Sequence, residues 1–377
     1  MRAMARPVLA VVGLAAVVLL VWLYGTSRGR EWRLERTGTA DLLAETLSHP
    51  EDALAQRILG RRLLAEGKAE EAASAFAREA AAQPGAIDPL VAQGRALLQA
   101  GRPVEALTPL EAALPQAPKS AEALAALGEV HYALGNSAQA EQAFRTAIQA
   151  SPSSAAAYAG LAFVLADRYN YEAARQAATK AVQLAPGSGQ AYLARGYVED
   201  QAGNSAGAVQ AYTRALQLEP DDGRAWELMA GVRTRIARQP QEFARAEEAL
   251  ARAERLRPQS PLIPYYRGLL LSNQHKYSQA IPEFRRALDR SPELTDALYH
   301  LSVALAFAGQ PAESARARAR FERLRNYHRE METLQILLGR DPNSVALWRK
   351  MEQLALAQGD EAHLRLARQK LQALATK

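Results

Sequence analysis

The most reactive-looking motif in the chain is GNSAG at residues 203–207, which has the Gly-x-Ser-x-Gly spacing of a hydrolase nucleophile. A serine of that kind needs a strand before it, and an acid and a histidine elsewhere to activate its hydroxyl. Here the preceding residues, YVEDQA, have the pattern of a helix, and residues 135–137 repeat the same Gly-Asn-Ser sequence earlier in the chain. We therefore predict a turn between two helices at Gly203 and no catalytic serine.

Metal and cofactor sites are not indicated by the remaining polar residues. The chain has no cysteine, which excludes disulfides, thiolate metal ligands and cysteine nucleophiles. No histidine has a second histidine three or four residues away, and neither a His-Glu-x-x-His motif nor a glycine-rich phosphate loop is present. The histidines are His49, His131, His275, His300, His328 and His363. We predict no catalytic residue, metal, cofactor or small-molecule substrate, and so expect a protein that is not an enzyme.

Positive charge is concentrated near the start of the chain. The formal net charge is +6, of which residues 1–36 carry +4 from six arginines against two glutamates. A nucleic-acid-binding protein more often shows a basic stripe along its fold, so we expect no nucleic-acid partner. A second arginine-rich stretch, residues 311–332, has glutamates interleaved with its arginines, which favours a solvated helix with pairs at i,i+4 over a lipid-binding or acid-binding surface.

Six prolines recur at a constant interval of 34 residues, which reveals an internal repeat. They are Pro50, Pro84, Pro118, Pro152, Pro186 and Pro220. Pro258 follows after 38 residues and Pro292 after a further 34. A period of this length is typical of a solenoid, and apolar residues at three- and four-residue spacing predict two amphipathic helices in each unit. We expect the four extra residues of the longer unit to lengthen the turn around residues 238–240.

Residues 121–152 show the repeat most clearly. The first predicted helix carries Leu124, Leu127 and Gly128, a Gly-Asn break follows, and the second helix carries Ala140, Phe144 and Ala147 before Pro152. This resembles the tetratricopeptide repeat (TPR) pattern W-x2-L-G-x2-Y, then A-x3-F, then A and P. The resemblance covers residues 38–310. It implies an all-α fold, namely a right-handed TPR α-solenoid of eight to nine helix pairs.

The TPR resemblance also implies where a ligand binds. In that family the first helix of each unit lines a groove for a partner peptide, roughly through its positions 2, 5, 9, 12 and 13. The aromatic and basic residues at these positions are Arg57, Arg61, Arg95, Tyr132, Phe163, Tyr197, Tyr265, Tyr299 and Phe307. An aromatic row with basic residues at one end suits an extended or helical peptide with an acidic part. The alternative is that several of these aromatics pack between repeats.

The N-terminal segment has the sequence pattern of a membrane anchor. Between Arg6 and Arg28 lie 21 residues without a charge, and roughly 20 apolar residues cross the hydrocarbon core of a bilayer. Trp22 and Tyr24 lie near its end, where aromatic rings favour the interface. A cleaved signal peptide is the alternative, but it would end in small residues and not in VWLYGTS. We therefore expect residues 7–27 to form one uncleaved transmembrane helix.

The charges on the two flanks favour opposite directions of insertion. The four arginines between residues 28 and 36 favour a cytoplasmic body by the positive-inside rule. The short basic tail before the apolar run instead resembles a signal-anchor, which would export the body. We follow the second interpretation and expect a single-pass protein of a bacterial inner membrane with an extracytoplasmic TPR body.

These observations give one division of the chain and one main function. The division is a basic tail (residues 1–6), a transmembrane anchor (7–27), a juxtamembrane helix and truncated leading repeat (28–50), the TPR array (51–310), and a long helix with a degenerate capping repeat (311–377). The resemblance implies a membrane-anchored interaction scaffold or assembly factor in envelope assembly, secretion or polymer export. The alternatives are a cytoplasm-facing regulator that recruits soluble enzymes to the membrane, and an enzyme with a site in the C-terminal 67 residues, a region too short and helical for a catalytic core.

Overall fold

The computed structural model describes residues 26–375, and every regular element in that range is an α-helix. The helices are α1 (Ser27–Arg36), α2 (Thr39–Ser48), α3 (Ala53–Ala65), α4 (Ala69–Ala82), α5 (Ile87–Gln99), α6 (Pro103–Ala113), α7 (Ala121–Ala133), α8 (Ser137–Ala150), α9 (Ala155–Asp167), α10 (Tyr171–Leu184), α11 (Gly189–Gln201), α12 (Ser205–Leu218), α13 (Gly223–Ile236), α14 (Pro240–Leu256), α15 (Leu262–Asn273), α16 (Tyr277–Arg290), α17 (Thr295–Phe307), α18 (Pro311–Arg340), α19 (Val345–Gln358) and α20 (Glu361–Ala375). The prediction of an all-α repeat fold is confirmed.

From α3 onward the helices form successive pairs, and short turns join the two helices of each pair. In the turn after α7, Gly135 has a φ of 75°, a left-handed conformation that glycine adopts without steric cost. The next first helix starts with a side-chain cap, because the backbone N–H of Ala157 donates to Ser154 at 3.3 Å. Pro152 lies between these two points and prevents α8 from continuing. The 34-residue sequence period is therefore the period of one helix pair.

Aromatic wedges hold adjacent pairs together. Phe144 of α8 is 1% exposed, and its ring lies against Gly128 in α7 and Gly160 in α9. A Cβ atom at Gly160 would lie only 2.3 Å from Cε1 of Phe144. The two glycines therefore leave the space that the ring fills. Tyr212 lies in the same way against Gly196 two pairs further on.

Backbone contacts divide the chain into two compact units, one ending at Leu218 and one beginning at Glu219. In the first unit the first helices α5, α7, α9 and α11 contact one another in succession, in addition to the second helices packed between them. In the second unit α13 contacts α15 in the same manner. Each unit therefore presents a surface made of neighbouring first helices.

The two leading helices belong to the core of the first unit. Leu34 of α1 and Leu42 of α2 are fully buried in the same cluster as the residues of α3. Gln56 of α3 is also fully buried, and its Nε2 donates to the carbonyl oxygens of Thr46 and Pro50 at 3.4 and 3.3 Å. The chain between residues 27 and 50 is thus packed onto the first pair.

The prediction for the 38-residue unit is wrong in detail. The turn at residues 237–239 has the same three-residue length as the turns of neighbouring pairs. The additional residues instead extend the helices, since α13 has 14 residues and α14 has 17. Compared with the 13- and 14-residue helices of the preceding pair, α13 is one residue longer and α14 is three residues longer.

The C-terminal helices build a second, smaller core. Helix α18 has 30 residues, and its second half contributes Tyr327, Met331 and Leu334 to a cluster with Trp348 of α19 and Leu364 of α20. This cluster is distinct from the one that α15, α16 and α17 share with the first half of α18. A single long helix therefore serves two adjacent cores of the second unit.

The predicted membrane anchor lies almost wholly outside the described residues, since the structure begins at Thr26. Across residues 26–375, none of the helices combines the length and the apolar character needed to cross a bilayer.

Candidate protein-binding face

Three residues predicted to line the groove come together in the first unit. Phe163 on α9 lies between Tyr132 on α7 and Tyr197 on α11, at ring-centroid distances of 6.2 and 5.0 Å. Phe163 is buried and both tyrosines are half-buried. The rings meet because the first helices of successive pairs lie side by side, which brings positions 9 and 12 of neighbouring units together.

Asp167 completes this group, although it was not among the predicted site residues. It is the last residue of α9, and it is exposed. Its Oδ2 accepts a hydrogen bond of 2.7 Å from the Tyr132 hydroxyl, and its Oδ1 accepts one from the Tyr197 hydroxyl. One carboxylate thus links three successive first helices. We call Tyr132, Phe163, Asp167 and Tyr197 the tyrosine–aspartate cluster.

The hydroxyl of Tyr197 is held in its protonated form. Burial, together with the hydrogen bond to Asp167, raises the pKa of Tyr197 well above its usual range. The hydroxyl therefore donates a hydrogen bond at any physiological pH, and the carboxylate is the acceptor. The cluster presents a negative group that is fixed in position by two donors above an apolar floor.

Arg57, predicted at the basic end of the groove, is engaged within the chain. Its Nε lies 2.6 Å from Oε1 of Glu79 on α4, whose side chain is only 2% exposed. Burial raises the pKa of Glu79, while the Arg57 guanidinium acts in the opposite direction. Much of the charge of Arg57 is consequently balanced by a buried carboxylate.

The other two predicted arginines differ in their surroundings. Arg95 on α5 donates to Oε1 of Glu122 at 2.7 Å, and its Nε lies 3.9 Å from Oε2 of Glu129. Arg61 on α3 is exposed to solvent. Arg61 is therefore the predicted basic residue that is most available to a ligand.

In the second unit, Tyr265 is part of the hydrophobic core. It is 9% exposed, and its ring lies 6.3 Å from Phe284 and 6.0 Å from His300. Burial raises the pKa of Tyr265 above its usual range. The structure places this ring between helices, which is the packing role that the sequence left open as an alternative.

Tyr299 and Phe307, both on α17, are the exposed predicted residues of the second unit. Tyr299 is 38% exposed, with the guanidinium of Arg318 at 5.6 Å from its ring centroid. Phe307 is 68% exposed and stacks on Tyr277 at 4.7 Å. The predicted aromatic residues thus form one close group in the first unit and two separate contacts in the second.

The GNSAG motif is a turn. Gly203 has a φ of 80°, and Ser205 is the first residue of α12.

The C-terminal helices contain a carboxylate–histidine pair that the sequence did not suggest. Asp360 Oδ2 accepts a hydrogen bond from the Tyr327 hydroxyl at 2.6 Å and lies 2.8 Å from Nδ1 of His363. This group ties α18 to α20. In the part of the chain that the structure describes, no three His, Cys, Asp or Glu side chains are grouped as metal ligands would be.

Asp167 could have been found from the sequence. It occupies position 13 of its unit, which is one of the groove positions of the TPR family, but it is acidic, whereas the site predicted from the sequence is aromatic and basic. The pairing of Asp167 with hydroxyls from the units before and after it depends on the spacing between first helices. That spacing is visible only in three dimensions.

Comparison with known proteins agrees with the fold. Tetratricopeptide repeat models match residues 91–155, 125–189, 232–292 and 265–328, and a second model of the same description matches residues 189–232. No curated protein sequence matches the chain.

One of the solved structures similar to this chain shares its architecture at low sequence identity. A chain in the crystal structure of the APC/C hetero-tetramer Cut9–Hcn1 has a TM-score of 0.65 and 15% identity over 75% of this chain, which spans only 55% of that one. A tetratricopeptide repeat protein from Parabacteroides merdae has a TM-score of 0.47, 18% identity and coverage of 65% of this chain and 96% of its own. Pseudomonas aeruginosa pilF has a TM-score of 0.43, 22% identity and coverage of 56% and 94%. The chain belongs to the tetratricopeptide repeat family, whose fold serves as a scaffold for protein–protein interaction.

Proposed function

We propose that this scaffold binds a segment of a partner protein across helices α7, α9 and α11, with the tyrosine–aspartate cluster at the centre of the contact. The observation that carries the proposal is the arrangement of this cluster. A buried Phe163 forms the floor, and two half-buried tyrosines and an exposed carboxylate surround it. Tyrosines with an apolar body and a polar tip are among the residues that most often dominate binding energy at protein interfaces.

The remaining predicted residues have supporting roles in this proposal. Arg61, which is exposed, contacts the same bound segment further toward the N-terminal end of the first unit, while Arg57 and Arg95 stay paired with carboxylates of the chain. Tyr299 and Phe307 offer a separate contact in the second unit, because both are exposed on one helix. Tyr265 stabilises the core beneath that helix and does not touch the partner.

The proposal includes a membrane location, which rests on the sequence of residues 7–27. An uncharged stretch of this length, flanked by arginines, suits a single transmembrane helix in a bacterial inner membrane. Such an anchor would hold the scaffold at the membrane for envelope assembly, secretion or polymer export, with the repeats outside the cytoplasm. The alternative is a cytoplasm-facing regulator that recruits soluble enzymes, which the arginines between residues 28 and 36 favour.

Photo-crosslinking in cells tests the binding face. Ala133 and Gln201 are exposed and occupy the positions in α7 and α11 that correspond to Asp167 in α9. The photoreactive amino acid p-benzoylphenylalanine at either position leaves the cluster intact. We expect both variants of the full chain to form a discrete adduct with the same protein.

Tyr169 provides the matched control, because it is 79% exposed in the turn after α9 and lies outside the cluster. The photoreactive group at position 169 should give no such adduct. Equal adducts at all three positions, or none at positions 133 and 201, would contradict binding at this face.

A reporter fused after Lys377 tests the membrane orientation. A reporter active only outside the cytoplasm should be active in the proposed arrangement. Activity of a cytoplasmic reporter would instead support the alternative and direct the search to enzymes recruited to the inner face.

A further inference from the structure

We propose that the tyrosine–aspartate cluster selects its partner by binding a cationic side chain, a lysine or arginine of the bound segment, between the carboxylate of Asp167 and the neighbouring aromatic rings. This inference rests on the proposed function, since it names the chemistry that the binding face recognises. It differs from the sequence-based expectation of a ligand with an acidic part.

The first argument is the unbalanced charge of Asp167. Its two carboxylate oxygens accept hydrogen bonds from two neutral hydroxyls, and within residues 26–375 no Lys, Arg or His side chain forms an ion pair with it. Helix α9 contains no other charged residue. A carboxylate with free lone pairs and no counter-ion is a natural partner for an ammonium or guanidinium group.

The neighbouring arginine does not supply the missing charge. Arg168 follows Asp167 directly, but its guanidinium pairs with the buried carboxylate of Glu141 on α8. Glu141 also pairs with Arg145. The cation closest in sequence is therefore held on another helix, and the carboxylate remains open to solvent.

The position of Asp167 at the end of α9 strengthens the preference for a cation. The C-terminus of a helix carries a partial negative charge from its unpaired carbonyl groups, so an acidic residue there is unfavourable and a cation is favourable. Helices α7 and α11 end at the corresponding positions, Ala133 and Gln201.

The rings provide the remaining contacts. Tyr132, Phe163 and Tyr197 lie in a row with centroids 5.0 to 6.2 Å apart, next to the carboxylate. A cation bound to Asp167 would lie beside these rings, whose faces attract positive charge. The aliphatic stem of lysine or arginine packs on the same surface.

At the other end of the unit, Arg57 and Arg95 are already paired with Glu79 and Glu122, which weakens the case for an acidic ligand.

A library of random peptides displayed on phage provides a defined probe. We expect peptides selected on the full chain to share a lysine or arginine. For a selected peptide, replacing that lysine with the neutral isostere norleucine should weaken binding about tenfold, as expected for a single charge-assisted contact. The Asp167→Asn variant removes the charge and keeps the shape of the side chain: its oxygen accepts from one tyrosine, and its amide N–H donates to the hydroxyl of the other. It should weaken binding by a similar factor.

A double-mutant cycle isolates the proposed contact. The norleucine peptide should bind wild-type protein and Asp167→Asn with about equal affinity, because the interaction is already lost. Glu172→Gln, which removes one exposed negative charge from α10 in the same unit, is the matched control and should leave the affinity unchanged.

The outcomes separate this inference from the proposed function. Peptides that lose binding in Tyr132→Ala and Tyr197→Ala, but that lack a cation or tolerate Asp167→Asn, would overturn the cation preference and leave the binding face in place. Peptides that are insensitive to all three variants would overturn both.

Discussion

The hydroxyl of Tyr132 donates a hydrogen bond of 2.7 Å to Asp167, a residue one complete repeat further along the chain. Tyr197, in the repeat that follows, donates to the other oxygen of the same carboxylate. Three first helices are thereby joined through one exposed acidic group. The proposed binding function depends on this arrangement.

The first prediction concerns the aromatic wedge between pairs. Gly160→Ala places a Cβ atom 2.3 Å from Phe144, whose ring is enclosed and cannot withdraw. We expect a loss of about 1–3 kcal/mol in the free energy of unfolding, measured by urea denaturation followed by circular dichroism.

Gly339→Ala is the matched control, because nothing lies within 4 Å of a Cβ atom at this position in α18. It should be neutral or stabilise the protein by up to about 1 kcal/mol. The double variant Gly160→Ala/Phe144→Leu should lose less free energy of unfolding than the sum of the losses in the two single variants. Additive losses would show that the clash with the ring does not cause the destabilisation by Gly160→Ala.

The second prediction concerns the buried pair Arg57–Glu79. Arg57→Ala leaves the Glu79 carboxylate buried without its partner and should reduce the free energy of unfolding by about 1–3 kcal/mol at neutral pH. Glu79→Gln preserves volume and removes the buried charge, so it should cost less than about 1 kcal/mol. Arg78→Ala, an exposed arginine beside Glu79, is the control.

At acidic pH, Arg57→Ala should reduce the free energy of unfolding by less than it does at neutral pH. Because burial raises the pKa of Glu79, this carboxyl group is neutral in the folded state at pH values where it would be charged in the unfolded chain. Its unfavourable burial therefore develops as the pH rises from the unfolded-state pKa to the higher folded-state pKa, and it is absent below the unfolded-state value. A cost of Arg57→Ala that stays constant from neutral to acidic pH would contradict this account.

The third prediction concerns Asp360 in the last helix pair. Burial would raise its pKa, but hydrogen bonds from Tyr327 and from the backbone and ring of His363 outweigh burial and lower the pKa to about 2. A lowered carboxyl pKa stabilises the fold above the unfolded-state value, and this contribution is lost as the pH falls through the folded-state value. Asp360→Asn should therefore cost about 1–2 kcal/mol at neutral pH and almost nothing near pH 2.

Trp348 reports on this region, because it packs in the same small core as Tyr327. Replacing the other three tryptophans with phenylalanine makes its fluorescence a local probe of urea unfolding. In that background, the chain with and without the Asp360→Asn substitution is compared to measure the pH-dependent difference in the free energy of unfolding. An equal loss at neutral and acidic pH would show that the carboxylate charge is not responsible.

Much of the fold follows from the sequence because one physical pattern is repeated. Proline cannot continue a helix, so Pro152 marks the end of a repeat unit, as the equivalent prolines do in other units. Glycine is required where an aromatic ring fills the space between helices, so Gly128 marks the contact between the two helices of its pair. The period alone did not show how an insertion is accommodated. The 38-residue unit lengthens α13 and α14 because added helical residues remain hydrogen-bonded, whereas a longer turn would expose backbone groups.

The candidate site was less predictable, because exposure depends on neighbouring side chains. Tyr265 and Tyr299 occupy the same position in their units, yet one is 9% and the other 38% exposed. The rings of Phe284 and His300 cover Tyr265. Likewise, the sequence alone indicates that Arg57 and Arg95 are available to a ligand. The structure pairs them with carboxylates on other helices.

The central claim is that the tyrosine–aspartate cluster is the binding site, and the most direct test is the affinity of a selected peptide for the Tyr132→Ala/Tyr197→Ala double variant. Loss of two interfacial tyrosines should weaken binding at least about tenfold, while the control Tyr169→Ala should stay within about twofold of wild type. A double variant that remains folded and binds as tightly as wild type would contradict the account.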